Sequence, residues 1–236
     1  MRVDVPTPHR ISVIIPVLDE EQRIWQRLDE LGQMAGIAEV IVVDGGSGDR
    51  TPAIARGFAG VQLLSTAPGR GPQMNAGARA ASGDVLLFLH ADVALPPDAA
   101  TWVSRMLADP AVVAGAFRTR TVADAGRSWL AFFLHLADLR SRWTRLPYGD
   151  QALFVRRDVF DRVGGFPDQP LMEDLELSLR LRRVGRIATA PATVRVSGRR
   201  FLARPIRSAV QMRLFPLLYR LGVPPRVLAW LYGDPR

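Results

Sequence analysis

Apolar residues fall into two kinds of run along this chain. Four short, nearly continuous blocks come first: Ile11 to Pro16, Val40 to Asp44, Val61 to Leu64 and Val85 to Leu89. Blocks this short, rich in β-branched residues and closed by turn formers, predict strands. Their continuous apolarity predicts burial on both faces, as in a parallel sheet. Between them the spacing becomes helical. Ile24, Leu28 and Leu31 share one face after Asp19, which is positioned to cap that helix. Thr51-Pro52 opens a second helix, with proline suited to its first turn. Pro72 to Ala81 reads as a third.

The second half is more mixed. The pattern predicts a helix over Ala99 to Leu107, a strand over Val112 to Thr121 and an amphipathic helix over Trp129 to Trp143. A short strand over Ala152 to Val155 and a helix over Asp174 to Val184 follow. The whole reads as an α/β fold with a mainly parallel sheet flanked by helices, and such sheets bind ligands beyond the carboxyl ends of their strands. From Arg207 to Leu231 the chain is apolar with interspersed arginines, an amphipathic helical extension. Packing on the domain, a homodimer interface and peripheral contact with an anionic membrane are all open to it. Packing or dimerisation is the preferred reading.

Composition narrows the function. With 236 residues, 48% of them hydrophobic, the chain can bury one sizeable core. It has no cysteine, which excludes disulfides and thiolate metal sites and agrees with a cytoplasmic setting. Net charge is +8, and all 31 basic residues are arginine because no lysine occurs. Guanidinium groups pair well with phosphates, but no nucleic-acid signature accompanies them, so no nucleic-acid partner is expected. The lack of lysine excludes P-loop enzymes and protein kinases, and argues against nucleotidyltransferases. Met1 to Arg10 lacks the apolar core of a signal peptide, and no apolar run is long enough to span a bilayer. The expectation is a soluble or peripheral protein, cytoplasmic or at the inner face of the cell membrane.

Five segments carry candidate chemistry. Asp44 ends an apolar block before Gly45-Gly46-Ser47, where it can cap the turn or accept a hydrogen bond from a base or ribose. Gly69-Arg70-Gly71-Pro72-Gln73-Met74-Asn75 is a glycine-rich loop running into a helix, a favourable place for an anion. His90 and Asp92 stand two residues apart at a strand end, where an extended backbone would point both side chains the same way. Carboxylate oxygens suit Mg2+ or Mn2+, and manganese also accepts imidazole. Glu173-Asp174 opens a helix after Gly164-Gly165-Phe166-Pro167, as caps or as a proton acceptor. Arg199 and Arg200 could clamp a diphosphate.

In this order the segments resemble the family 2 glycosyltransferases of GT-A fold. Val13-Ile14-Ile15-Pro16 with Leu18-Asp19-Glu20 is similar to the family's opening strand and its Pro-x-x-Asn-Glu turn. Val43-Asp44-Gly45-Gly46-Ser47 resembles its Asp-Asp-Gly-Ser turn, with Gly45 replacing one aspartate. His90-Ala91-Asp92 stands where the metal-binding Asp-x-Asp does, and Met172-Glu173-Asp174 resembles the Thr-Glu-Asp that carries the base. Gly69 to Gly77, Gly149-Asp150-Gln151, Gly164-Gly165-Phe166-Pro167, Leu171 to Asp174 and Arg199-Arg200 resemble a bacterial subgroup, the radical-SAM/selenodomain-associated glycosyltransferases.

The resemblance implies a Rossmann-like GT-A domain over residues 1–206, with a nucleotide-binding lobe to residue 95 and an acceptor lobe from 96, followed by the extension 207–236. It implies inverting transfer from a nucleoside diphosphate sugar, UDP-linked by preference, to an acceptor hydroxyl that a lipid could carry. Pro16, Glu20, Asp44, Arg70, Gln73 and Asn75 would contact the donor, with Asp150, Gln151, Arg199 and Arg200. Asp92, with His90, would hold Mg2+ or Mn2+, and Asp174 would be the general base. The alternatives are a non-catalytic nucleotide-sugar, membrane or partner-binding protein on the same fold, or a nucleotidyltransferase.

Overall fold

The structure is a computed structural model that describes residues 9–122, 146–198 and 205–233. The helix expected over Trp129 to Trp143 lies outside the described residues, as do Arg199 and Arg200.

The four apolar blocks become strands β1 (Ile11–Val17), β2 (Ile37–Asp44), β3 (Val61–Ser65) and β4 (Val85–Phe88). They pair in parallel in the order β3-β2-β1-β4. Helices α1 (Glu21–Gly32), α2 (Thr51–Arg56) and α3 (Arg70–Ala80) make the connections. Beyond the two-residue β5 (Val93–Ala94) and α4 (Ala99–Leu107), the chain adds β6 (Val112–Val122) and, after residue 145, β7 (Phe154–Arg156). Helices α5 (Arg157–Arg162) and α6 (Glu173–Val184) then precede β8 (Arg186–Ser197). One eight-stranded sheet results, β3-β2-β1-β4-β7-β6-β8-β5, in which only β7 and β5 run against the rest.

Alternation along each strand explains the continuous apolarity. Ile11, Val13 and Ile15 of β1 face a core shared with Ile24, Leu28 and Leu31 of α1 and Val103 and Leu107 of α4. Ile14 faces the opposite core, with Met74 and Ala78 of α3, Val159 and Phe160 of α5, and Leu177 and Leu181 of α6. In β4, Val85 and Leu87 join the first core and Leu86 and Phe88 the second. A sheet covered on both faces has no polar position to spare. Helix α3 lies so close that a Cβ on Gly77 would fall 2.4 Å from Ile14 Cγ2.

Two local expectations change. Asp19 does not cap α1. It adopts φ 54°, its amide donates to Ser47 Oγ (3.0 Å), and its carboxylate accepts from the Gly48 amide (2.8 Å). The left-handed backbone turns the side chain toward the loop after β2, so Asp19 clasps that loop. The amides that open α1 are met from across the fold, Glu21 N–H by Asp49 and Glu20 N–H by Thr51. Arg70 also belongs to α3 itself, as its first residue after Gly69 at φ 142°.

The extension forms two helices, α7 (Pro205–Arg220) and α8 (Pro225–Tyr232). They pack on the domain through a small core of Leu171, Phe215 and Leu228, with Met172, Leu218 and Tyr219 at its edge. Among the described residues no helix is long and apolar enough to cross a membrane.

Candidate functional site

Parallel strands end on one side, and there the loops after β1 and β4 meet the starts of α3 and α6. Two cavities open at this edge. The larger, about 520 Å3, is lined by Pro16 and Glu20 after β1, by Gly69, Arg70 and Gln73, and by Asp168 to Pro170. The smaller, about 280 Å3, is lined by Thr119 and Thr121 of β6, Tyr148 to Asp150, Met172 and Asp174. The extension adds a further wall, including Ser208, Gln211, Phe215 and Tyr232. Arg70, His90, Asp92 and Glu173 line both cavities and so form the seam between them.

His90 and Asp92 reach the seam through a tight turn, not along an extended strand. Val93 N–H donates to the His90 carbonyl at 3.0 Å, which ends β4 before His90. Ser197 N–H holds the Asp92 carbonyl at 3.1 Å, and the buried Arg27 donates from Nε to the Ala91 carbonyl at 3.4 Å. Burial pulls the Arg27 guanidinium below its ordinary value, against the pull of Glu30. Among the described residues no three His, Cys, Asp or Glu side chains gather into a closed metal cage. Two side-chain donors beside an open cavity match an ion that takes its other ligands from substrate phosphates and water.

Arg70 and Glu173 pair across the seam, with Nε 3.4 Å from Oε1. The environment is lopsided, because the glutamate side chain is 4% exposed and the arginine 29%. Burial pushes the Glu173 carboxyl up to about 6; Arg70 opposes that shift and Asp174 adds to it. Burial also works against the charge of Arg70, but Glu173 and Asp174 outweigh it and hold the guanidinium above its ordinary value.

Asp174 faces only the smaller cavity. Its Oδ2 accepts the Gly149 amide at 2.7 Å and its Oδ1 accepts Leu175 N–H at 2.7 Å. Gly149 also lies against His90, since a Cβ there would sit 2.9 Å from both Cε1 and Nε2 of the imidazole. Imidazole and carboxylate thus both crowd one glycine. Met172, just before α6, holds φ 66°. A non-glycine residue there costs of order 1–3 kcal/mol and needs surrounding support. The core of Leu171, Phe215 and Leu228 supplies it, so the extension helps aim Glu173 and Asp174.

Other candidates serve the frame. Gln73 lines the larger cavity but donates to the carbonyls of Val17 (2.9 Å) and Val43 (2.8 Å), stapling β1 to β2. Asn75 exchanges two hydrogen bonds with the Phe166 backbone (2.8 and 2.9 Å), tying α3 to the loop before α6. Gln151 bonds the Phe117 carbonyl and the Tyr148 amide. The Asp44 carboxylate accepts the amides of Gly46 and Ser47, both at 3.2 Å, and the Ser47 hydroxyl. Asn75, Gln151 and Asp44 line neither cavity. Asp150 does line the smaller one.

The structure adds residues that the pattern did not single out. Arg27 stood in the apolar stripe of α1 beside Leu28, a charge on a buried face and a readable signal. Thr119 and Thr121 alternate onto one face of β6. Arg226, which lines the larger cavity, and Tyr232 had no local signal.

Comparison with known proteins places this geometry. The model of glycosyl transferase family 2 matches residues 12–166. A probable glycosyltransferase YdaM of Bacillus subtilis (strain 168) is 28% identical over 202 residues, 75% of this chain and 47% of that protein. An undecaprenyl-phosphate 4-deoxy-4-formamido-L-arabinose transferase of Pseudomonas fluorescens is 28% identical over 168 residues, 65% of this chain and 49% of the relative. The chain thus spans about half the length of these curated relatives. Among solved structures, the mannosyltransferase PcManGT of Pyrobaculum calidifontis, in complex with GDP-Man and Mn2+, superposes with a TM-score of 0.69. It is 24% identical, and the match covers 93% of this chain and 67% of that one, which establishes the shared GT-A fold.

Proposed function

The chain belongs to glycosyl transferase family 2, and from that premise we propose that it moves a sugar from a nucleoside diphosphate donor to an acceptor hydroxyl with inversion. The observation that carries the reading is the seam: two cavities share Arg70, His90, Asp92 and Glu173, while Asp174 faces the smaller alone. The donor occupies the larger cavity, its nucleoside against Pro16 and Glu20 and its diphosphate toward Arg70, with Arg199 and Arg200 as further phosphate contacts. UDP is the preferred carrier. The acceptor enters the smaller cavity beside Asp150, and the names of relatives such as the undecaprenyl-phosphate transferase support a lipid-linked class. The ordered motifs around Gly69, Gly149 and Glu173 support assignment to the radical-SAM/selenodomain-associated subgroup.

Asp174 takes the proton of the acceptor hydroxyl as that oxygen bonds the anomeric carbon. The bond from this carbon to the diphosphate oxygen breaks in the same displacement, and the electron pair leaves with the nucleoside diphosphate. Arg70 steadies the departing charge, and the Gly149 amide orients the base. Asp92 and His90 would hold Mg2+ or Mn2+, which supplies charge neutralisation at the diphosphate.

The test is thermal stabilisation by UDP, GDP and dTDP with and without Mn2+, followed by turnover of Asp174→Asn. A ligand that binds only the folded state raises the melting temperature. A metal-dependent rise with one nucleotide, and an Asn variant that binds it but does not transfer, are the expected results. Full turnover by Asp174→Asn would remove the base assignment.

A further inference from the structure

The exposed side of the α7–α8 hairpin is unlike the rest of the surface. Among the described residues ten large hydrophobic side chains are exposed, and eight of them fall between Val210 and Tyr232. Val210, Leu214, Leu217 and Leu221 recur at helical spacing and form one stripe, on the side of α7 away from the buried Phe215. By the same spacing Arg213 and Arg220, both exposed, run along one edge of the stripe, while Arg207 on the other edge donates to the Leu231 and Tyr232 carbonyls and ties α7 to the end of α8. In α8, Trp230 is 81% exposed and shares its face with Arg226 and Val227, while Leu228 turns inward and is fully buried. Residues 205–233 contain four arginines and no aspartate or glutamate.

Single apolar side chains on a surface need no explanation, but a contiguous patch marks an interaction site. Its chemistry selects the occupant. An apolar stripe edged by arginines suits the boundary between lipid headgroups and acyl chains, where arginine stems lie along apolar material and their heads reach phosphates. An indole prefers that same interface. A second copy of this chain across a two-fold axis would set Arg213 and Arg220 beside the same two, with no carboxylate of the hairpin between them. An acid-free face suits an anionic bilayer.

We propose that the α7–α8 hairpin docks peripherally on an anionic lipid bilayer, with the Val210–Leu221 stripe and Trp230 at the headgroup boundary. The opposite side of the same two helices walls the smaller cavity through Ser208, Gln211, Phe215 and Tyr232, so docking leaves that cavity one helix away from the lipid surface. The docking stands on this face alone and does not require sugar transfer.

Cosedimentation of the full chain with vesicles tests it, comparing phosphatidylcholine alone with an equimolar mixture of phosphatidylcholine and phosphatidylglycerol. Binding is expected with the anionic vesicles and is expected to weaken with salt. Each basic residue near such a surface contributes about fivefold to partitioning, so Arg213→Glu/Arg220→Glu should lose more than about tenfold. The charge-neutral variant Leu214→Ser/Leu217→Ser/Trp230→Ser should also lose roughly tenfold or more, because it removes the inserted apolar area. These side chains are exposed, so its melting temperature should hold. Its stabilisation by nucleotide is read in parallel, so a failure of docking stays distinct from a failure of the donor site. Wild-type protein left in the supernatant with anionic vesicles at low salt overturns the proposal. So does a triple variant that binds like wild type, which would mean diffuse charge attraction. A wild-type dimer that the triple variant dissociates also overturns it, by showing that a second copy covers the face.

Discussion

Replacing Glu173 with glutamine should stabilise the protein near neutral pH and do so only there. The side chain is 4% exposed, and its ion pair with Arg70 spans 3.4 Å. Burial wins over that pair and raises the carboxyl from 4.5 to about 6. The pair attracts both partners, but the glutamate has lost nearly all its water and the arginine has kept some. At ~1.36 kcal/mol for each tenfold in proton affinity, ionising Glu173 costs the fold about 2 kcal/mol. The sign follows from proton counts. Below pH 4.5 the group is protonated in folded and unfolded chains alike, and the fold carries no penalty. Between 4.5 and 6 the unfolded chain ionises first, so stability falls as pH rises, and above 6 the full penalty remains. Glutamine resembles the protonated form at every pH. Urea denaturation on both sides of this window should therefore show Glu173→Gln equal to wild type at the acid end and about 2 kcal/mol more stable at neutral pH. In a chain of this size that is about 4–8 °C in melting temperature. Turnover should fall, because Arg70 loses its paired carboxylate in the shared seam. A difference that does not vary with pH, or a variant less stable than wild type at neutral pH, would mean that Arg70 outweighs burial.

Two further substitutions probe the seam and its frame. Gly149→Ala places a methyl group 2.9 Å from two ring atoms of His90 and 3.5 Å from Asp174 Oδ2. The ring must swing away, at a stability cost of about 1–3 kcal/mol, and the Mn2+-dependent part of nucleotide stabilisation should shrink more than the metal-independent part. Gln73→Leu removes the buried donor shared by the Val17 and Val43 carbonyls. At about 1–2 kcal/mol for each carbonyl deprived of it, the urea midpoint should drop by ~2–3 kcal/mol equivalent with an unchanged slope, since Val17 O keeps the Gly45 amide.

Local pattern by itself determined the sheet. Ile11 to Ile15, Val40 to Val43 and Val85 to Phe88 are apolar at every step except Ser12, and a strand with two buried faces leaves no other arrangement open to it. Ser12 itself is fully buried, and its hydroxyl is satisfied by Glu39. The same pattern set the Glu173-Asp174 pair at the start of α6 and Asp92 beyond β4, though in a turn rather than on the strand, and the ordered motifs carried the family. Tertiary structure decided which of these polar groups meet and which serve the frame. Asn75 reads locally as a ligand-loop residue, yet its amide is spent on Phe166, 91 residues away. Asp19 reads as a cap, but a left-handed backbone sends it to Gly48. Arg70 and Glu173 become a pair only when α3 and α6 converge. The extension was legible as amphipathic, but its role was not. One side of it supports Met172 and walls a cavity, while the other is left to solvent, and helical spacing cannot say which side will find a partner. Hydrophobic periodicity records how much of a segment is buried. The partner of a buried charge depends on which distant segments the fold brings within a few ångströms, and no local pattern encodes that distance.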